Sequence, residues 1–498
     1  MNNEHIVTHP PAELIQNRVR SALALRKGVR LTAAERKLFL AVVDLVLINA
    51  SLVIAATIWV GFDLSLVAVV VYAKWFMTLS VLWWACGTIF DVYNLKLANN
   101  VSSILAASGL AALMTTVTYV LIPVVTPAIV SRSYVAGFIL LGTGSIMAWR
   151  FLYAKGFSQP AFQRRVLIAG TGSTTQVLFH ELVVAKELGN DNPFAGTGYQ
   201  IVGLLTDACG EISSDEVGLP VLGDMNQLVR IARQYGVDEI AVALDEQSAV
   251  DPQIYEVLLD CHELGWQLST LPNLYERLAS RLPVEYAARD LETLPVFNET
   301  ASYRLYIAAK RLIDVLFALA GLLPLALLVP FVALGNRLWS PGPLFYRQQR
   351  MGRGGHTFAV IKFRSMVVDA EKATGAVWSS NGDSRITPMG NFLRKTRLDE
   401  LPQIINVLKG EMSMVGPRPE RPNFVGRLGL ELPVYRARHA VKPGITGWAQ
   451  IRYRYGNSVE DSRMKLEYDL YYVKHASLYL DVLILLQTIP TMLRFKGQ

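Results

Sequence analysis

The sequence predicts a three-part membrane protein. An N-terminal bundle of four transmembrane helices comes first, then a central doubly wound α/β domain. A C-terminal α/β domain, held to the bilayer by a re-entrant helix, comes last. Three observations predict this. The 498 residues are 52% hydrophobic and only 18% charged, against about 25% charged in soluble chains, and the mean hydropathy is +0.30. Long uncharged runs cluster before residue 155 and recur at 315–336. The formal charge is partitioned, with a net +6 over 1–160, −13 over 161–300, +3 over 301–337 and +11 over 338–498. A wholly soluble enzyme and a disordered scaffold are excluded. Three scattered cysteines, Cys86, Cys209 and Cys261, make neither a disulfide framework nor a Cys-rich zinc site. The predicted boundaries are 1–37 for a basic cytoplasmic tail, 38–155 for the bundle, 160–300 for the central domain and 304–498 for the last. The re-entrant helix is placed at 312–336.

Each bundle segment approaches the about 20 residues that a bilayer helix needs. Residues 38–60 contain one charge, Asp44, and residues 64–90 contain one, Lys74; residues 97–131 and 133–149 contain none. Pro123 and Pro127 mark the end of the third segment. Trp59, Trp75, Trp83, Trp84 and Trp149 sit near ends or flanks, as interfacial anchors do. The tail carries Arg18, Arg20, Arg26, Lys27, Arg30, Arg36 and Lys37, and the exit from the fourth segment carries Arg150, Lys155, Arg164 and Arg165. Both ends of the bundle are therefore assigned to the cytoplasmic side. The first long apolar run begins only near Leu38, which is not the pattern of a cleaved signal. Asp44 and Lys74 read either as an intramembrane pair or, for the lysine, as a side chain snorkelling to the helix end.

The central region alternates strands and helices. Arg165–Gly170 reads as a buried strand, followed by the loop Gly170-Thr-Gly172-Ser-Thr-Thr175 and a helix to about Leu188. Strands at Ile201–Leu205 and Glu239–Leu244 and helices at Asp224–Tyr235 and from Pro252 complete a Rossmann-like parallel sheet. Thr175 stands where the dinucleotide fingerprint needs a third small residue, so the fold is read as degenerate or regulatory, with no cofactor bound. A rival reading uses Tyr306-x-x-x-Lys310, which resembles the catalytic pair of short-chain dehydrogenases. It would make the chain a membrane-anchored NAD(P)-dependent nucleotide-sugar dehydratase or oxidoreductase. The plainer role for Lys310-Arg311, directly before an apolar run, is anchoring at the membrane edge.

Residues 315–336 are uncharged and long enough to span, but Pro324 and Pro330 fall inside them. Proline removes a helical hydrogen bond and clashes with the preceding turn. A segment that enters, bends and returns keeps Lys310 and Arg337 on one face, with its broken backbone satisfied by protein. The basic domain beyond it suits phosphate-bearing substrates or an anionic membrane face rather than nucleic acid.

The chemistry-bearing motifs follow. Ser340-Pro-Gly-Pro343 precedes Lys362-Phe-Arg364-Ser-Met366, and Arg394-Lys-Thr-Arg397-Leu-Asp399-Glu400-Leu-Pro402-Gln403 comes next. Gly416-Pro-Arg418-Pro419 and Lys442-Pro-Gly-Ile-Thr-Gly447-Trp448-Ala-Gln450 lie beyond. Asp399 and Glu400 are adjacent carboxylates among cations, able to hold one hard divalent ion and still offer an anionic nucleophile. Arg418 sits on a proline-stiffened turn suited to bidentate phosphate contact.

Residues 304–495 closely resemble the bacterial sugar transferase domain, the monotopic polyprenyl-phosphate sugar-phosphate transferases. The resemblance runs through these motifs and also through Lys310-Arg-Leu-Ile-Asp314 and Tyr468-Asp-Leu-Tyr-Tyr-Val-Lys474. The front half is similar to that of the large hexose-type members. The resemblance implies transfer of a sugar 1-phosphate from a UDP-sugar to undecaprenyl phosphate, with UMP released, at the start of exopolysaccharide or O-antigen assembly. It implies Asp399 as nucleophile, Glu400 as its acidic partner and Mg²⁺ held by both. Lys362, Arg364, Arg394 and Arg418 are implied around the phosphates. Location is expected in the bacterial inner membrane with the catalytic domain cytoplasmic; a homodimer is left open, and so is the choice between glucose and galactose.

Overall fold

The computed structural model describes residues 31–62, 65–98, 101–123, 126–127, 131–156, 163–170, 198–206, 219–243, 252–287, 301–370, 383, 385–432, 434–453 and 458–493. The tail before Leu31 and the glycine loop beyond Gly170, with Thr175, lie outside them. The chain forms two compact units, Met1–Leu278 and Ala279–Gln498.

In the first unit, α1 (Ala33–Val60) opens on a capping box between Thr32 and Glu35, which satisfies two orphan backbone donors. It is followed by α2 (Ala73–Ile89), α3 (Val101–Val120) and α4 (Arg132–Gly156). The helices α1, α3 and α4 are each long and apolar enough to cross a membrane. The run at 64–90 is not one helix: a six-residue piece, Leu66–Val71, is separated from the 17-residue α2 by Tyr72, whose ring stacks on Trp75. The third helix ends before Pro123, as the sequence predicts. Leu52, Trp83, Ala111 and Phe138 from the four helices share one buried core. Between α1 and α4, Arg150 meets Asp44 at 2.5 Å with both side chains fully buried. Asp44 therefore pairs with Arg150 and not with Lys74. The low dielectric that makes a lone intramembrane charge costly favours this closed pair.

The same unit holds a parallel sheet of β1 (Arg164–Ala169), β2 (Tyr199–Leu205), β3 (Val221–Gly223), β4 (Glu239–Val242) and β5 (Gln267–Thr270), in the order β3-β2-β1-β4-β5. This is the order of the first five strands of a doubly wound nucleotide fold. Leu167, Ile240 and Trp266 pack with α5 (Leu228–Gln234) and α6 (Pro252–Glu263) through Ile231 and Cys261.

The second unit is built on α7 (Ala301–Trp339), 39 residues in one helical run that contains both Pro324 and Pro330. One face packs through Ala318, Leu325 and Val332 against the α/β core at Phe363, Leu393 and Ile404. The opposite stripe, Leu312, Leu316, Leu323, Leu327, Phe331 and Leu338, is exposed. The rest comprises β6 (Phe345–Met351), β7 (Thr357–Phe363), α8 (Pro388–Lys395), a 3₁₀ turn (Leu398–Gln403), α9 (Ile404–Lys409), β8 (Ser413–Val415), α10 (Pro422–Glu431), β9 (Gly444–Thr446), α11 (Trp448–Arg452), α12 (Val459–Lys474) and α13 (Leu478–Leu493).

Polar contacts bind α7 to this fold. Arg311 donates to the carbonyls of Val407 and Leu408 at 2.7 and 2.8 Å, capping the last turn of α9. Asp314 accepts from Ser413 Oγ and the Met414 amide. Lys310 pairs with Asp481 of α13 at 2.8 Å, and the Tyr306 hydroxyl donates to the same carboxylate at 3.1 Å. Tyr306 and Lys310 thus tie two helices together. Both side chains are engaged with one carboxylate, not arranged as a dehydrogenase pair.

Candidate active site

The hairpin β6–β7 carries Lys362. The buried Asn406 of α9 fixes the strand, accepting from the Ile361 amide and donating to the Ala359 carbonyl. With the Ala359 and Ile361 backbone groups held, the alternation of the strand turns Lys362 toward the cavity side. Arg364, past the strand end, is buried. Its guanidinium donates to Ser340 Oγ and to the carbonyls of Pro343, Met366 and Ser340, locking the Ser340-Pro-Gly-Pro343 turn.

The helix α8 starts on a Thr387 cap with Pro388 at its first position, a favourable start on both counts. At Gly390 a Cβ would lie 1.9 Å from the Ser365 carbonyl oxygen. Only glycine lets the helix approach so closely, and the approach puts Arg394 Nε 2.9 Å from Ser365 Oγ. The helix ends at Lys395, and two residues on, Arg397, a non-glycine residue, stands at φ +60°. This sharp turn tips the chain into the 3₁₀ turn that carries Asp399 and Glu400.

The Gly416-Pro-Arg418-Pro419 turn is fitted against the segment 442–447 by the parallel pair β8–β9. The Gly416 amide donates to the Thr446 carbonyl and the Gly444 amide to the Pro417 carbonyl, each at 2.9 Å. A Cβ on Gly416 would meet the Lys442 carbonyl at 2.3 Å, and one on Gly444 would meet the Gly416 nitrogen at 2.1 Å. Behind the turn, buried Arg438 donates to the Arg418 carbonyl at 3.0 Å and pairs with Asp469 of α12 at 2.6 Å.

These elements converge on a cavity of 770 Å³ lined by ten Arg or Lys and five Asp or Glu side chains, within the usual range for small-ligand sites. Glu400 is buried, and its Oε1 accepts from Lys362 Nζ at 2.7 Å and Arg418 Nη2 at 2.8 Å. Burial alone would raise its pKa, but Arg418 and Lys362 hold it well below the usual carboxylate range. Asp399 is pushed the other way, up to about 6, by burial first and then by the Glu400 charge, against the pull of Lys362, Arg394 and Arg418. Two adjacent carboxylates thus have separated titrations, the pattern of groups with different chemical tasks. Lys362 is itself lowered by burial and raised by Glu400.

Asp399, Glu400, Lys362, Arg364, Arg394 and Arg418 all line this one cavity. Arg364 differs in spending its guanidinium on the backbone. Sequence reasoning did not single out Arg438, Asp469, Arg350 or Lys465, which also line it. Asp469 stood inside a quoted motif. Arg350 opens the short run Arg350-Met-Gly352, while no motif held Arg438 or Lys465. Among the described residues no group of three or more His, Cys, Asp or Glu forms a metal cage. The Asp399–Glu400 oxygens suit an ion that completes its shell with water and substrate phosphate, as magnesium does.

A cationic cavity around a clamped acid pair, in a unit bearing a long apolar helix, defines a membrane enzyme that handles phosphates. Residues 305–495 match the bacterial sugar transferase family model, and residues 88–259 match a CoA-binding domain model. The chain is 34% identical over 385 residues to the UDP-glucose:undecaprenyl-phosphate glucose-1-phosphate transferase of Xanthomonas campestris pv. campestris, covering 74% of this chain and 75% of that protein. It is 32% identical over 340 residues to the Escherichia coli strain K12 protein of the same name, covering 67% and 68%. It is 46% identical over 193 residues to the UDP-N-acetylgalactosamine-undecaprenyl-phosphate N-acetylgalactosaminephosphotransferase of Aeromonas hydrophila, covering 39% of this chain and 45% of that relative. The chain belongs to the bacterial family of undecaprenyl-phosphate sugar-1-phosphate transferases.

Proposed function

We propose that the protein transfers a hexose 1-phosphate from a UDP-sugar to undecaprenyl phosphate in two displacements, as the first membrane step of exopolysaccharide or O-antigen assembly. The observation that carries this is Asp399, beside a Glu400 already neutralised by Lys362 and Arg418, in a cavity rich in cations. An oxygen of ionised Asp399 attacks the sugar-linked phosphorus, and the bond from that phosphorus to the bridging oxygen breaks, releasing UMP. A phosphate oxygen of the lipid then attacks the same phosphorus, and Asp399 leaves as carboxylate. Arg394, Arg418 and Lys362 lower the repulsion between the attacking carboxylate and the pyrophosphate and receive the developing charge. Arg364 acts by holding the Ser340–Pro343 turn rather than by touching phosphate. Mg²⁺ would be held by Asp399 and Glu400 oxygens and, when bound, would supply charge neutralisation on the pyrophosphate. The test is UMP release from purified membranes given undecaprenyl phosphate and a panel of UDP-sugars. Continued release, beyond one UMP per enzyme, that needs the lipid and selects among hexoses is expected; none with any sugar would refute the reading.

Although α7 is one helical run through Pro324 and Pro330, without the expected break, and is itself long and apolar enough to cross a membrane, we propose that it enters and leaves the inner membrane on one side, with the catalytic unit cytoplasmic. Its packed positions run from Asp314 through Gly321 and Gly335 to Asn336 on the same soluble fold. Its exposed leucine stripe is what acyl chains would cover. Cysteines introduced at Arg304 and at Trp339 should both react with an impermeant thiol reagent from the cytoplasmic side alone. Periplasmic labelling of the second would make α7 a true span.

A further inference from the structure

We infer that Ser280–Ala287, upstream of the residues that match the transferase family, form a positioning strap that sets the phosphate-binding turn at Gly416–Pro419. The inference rests on the transferase reading of the site.

The strap docks by several different contacts. Ser280 is held at φ +55°, a left-handed conformation that a non-glycine residue keeps only where contacts enforce it. Its carbonyl accepts from Trp448 Nε1 at 2.9 Å. The Leu282 amide donates to the Glu467 carbonyl at 3.1 Å, and Arg281 lies 3.5 Å from the Glu467 carboxylate. Leu282, Val284 and Ala287 are buried against Leu466, Leu470, Val425 and Leu428.

The two elements gripped are the two props of the turn. On α12, Leu466, Glu467 and Leu470 face the strap, while Lys465 and Asp469 face the cavity; Leu466/Leu470 and Lys465/Asp469 are each spaced i,i+4, which keeps each pair on one side of the helix. Asp469 holds Arg438, and Arg438 donates to the Arg418 carbonyl. On the other side Trp448 follows Gly447, where a Cβ would lie 2.2 Å from the Gly416 carbonyl oxygen. A displaced strap releases both props, and the Arg418 guanidinium loses its fixed place on Glu400. The strap residues touch no substrate; they act through Trp448 and α12.

The experiment uses the full chain in lipid nanodiscs and compares the wild type with Leu282→Asp, which puts a charge into the apolar seat, and with Leu282→Met. Amide hydrogen exchange is followed over the peptides 413–420 and 444–449, and UMP release is measured with UDP-glucose and the other UDP-hexoses. The expected result for Leu282→Asp is faster exchange at those peptides, with unchanged exchange in α1–α4 and in the sheet β1–β5. Donor KM should rise about tenfold or more, as misplaced binding groups cause, while kcat falls less. Leu282→Met should match the wild type. If Leu282→Asp does not fold, Leu282→Ala takes its place in the same comparison. Unaltered exchange at 413–420, or uniform loss of protection throughout residues 279–498 with unchanged KM, would overturn the strap. Absence of UMP release from the wild type would overturn the transferase reading alone, because the exchange comparison needs no substrate.

Discussion

Asp399→Asn should reduce hexose-phosphate transfer by about 10⁴-fold or more, the scale of losing a nucleophile, while UDP-sugar binding largely persists. The amide has the shape of the carboxylate but no anion. Lys362, Arg394 and Arg418 stay in the cavity, so the pyrophosphate still finds its cations. The wild type, given radiolabelled UDP-sugar without lipid acceptor, should accumulate one sugar-phosphate adduct at Asp399 and release an equivalent of UMP. The pH dependence follows from the same group. Its carboxyl is raised to about 6, so the nucleophile is ionised above that value and is progressively protonated below it; kcat/KM should fall as pH drops through about 6. Near-normal turnover of Asp399→Asn with no trappable adduct would rule out the covalent route.

What the sequence disclosed and what it hid divides by sequence separation. Runs of apolar residues reveal bilayer helices because one chemical rule, length without charge, suffices. The break at Tyr72 was hidden because a ring stack on Trp75 leaves no mark in hydropathy. The strands β1, β2 and β4 were legible as buried apolar runs. The edge strands escaped: β3 has three residues, and β5 reads Gln-Leu-Ser-Thr with no apolar periodicity. Asp399, Glu400 and the cations around them were legible through motifs in fixed order. Pairings across the chain were not. Asp44 finds Arg150 at a separation of 106 residues, and Lys310 finds Asp481 at 171. Asp44 looked like a candidate partner of Lys74, and Lys310 like an anchor at the membrane edge, until the fold supplied their partners. Arg438 was hidden for the same reason, since its role exists only once α12 brings Asp469 beside the Gly416 turn.

Glu400→Gln should lower kcat/KM by about 10²-fold, the usual scale for losing one preorganised electrostatic group, and should also move the whole pH profile toward acid. The side chain keeps its size and can still accept one hydrogen bond, but its NH₂ end meets a cation that had bonded to an anion. Two titrations then shift in the same direction. Glu400 is one of the groups that raise Asp399, and removing its charge leaves Lys362, Arg394 and Arg418 unopposed, so the Asp399 carboxyl ionises at lower pH and the acidic limb moves down. Lys362, already lowered by burial, is held up chiefly by Glu400. Without that anion it loses its proton at lower pH, so the alkaline limb set by its charge moves down too. General damage to the fold would lower the height of the bell and leave its limbs in place. The discriminating measurement is therefore the kcat/KM profile of Glu400→Gln beside that of Glu400→Asp, which keeps the charge on a shorter arm. A displaced bell for the first with limbs near wild type for the second is the expected result. Unmoved limbs in Glu400→Gln would show that Glu400 does not set the ionisation of Asp399 and Lys362.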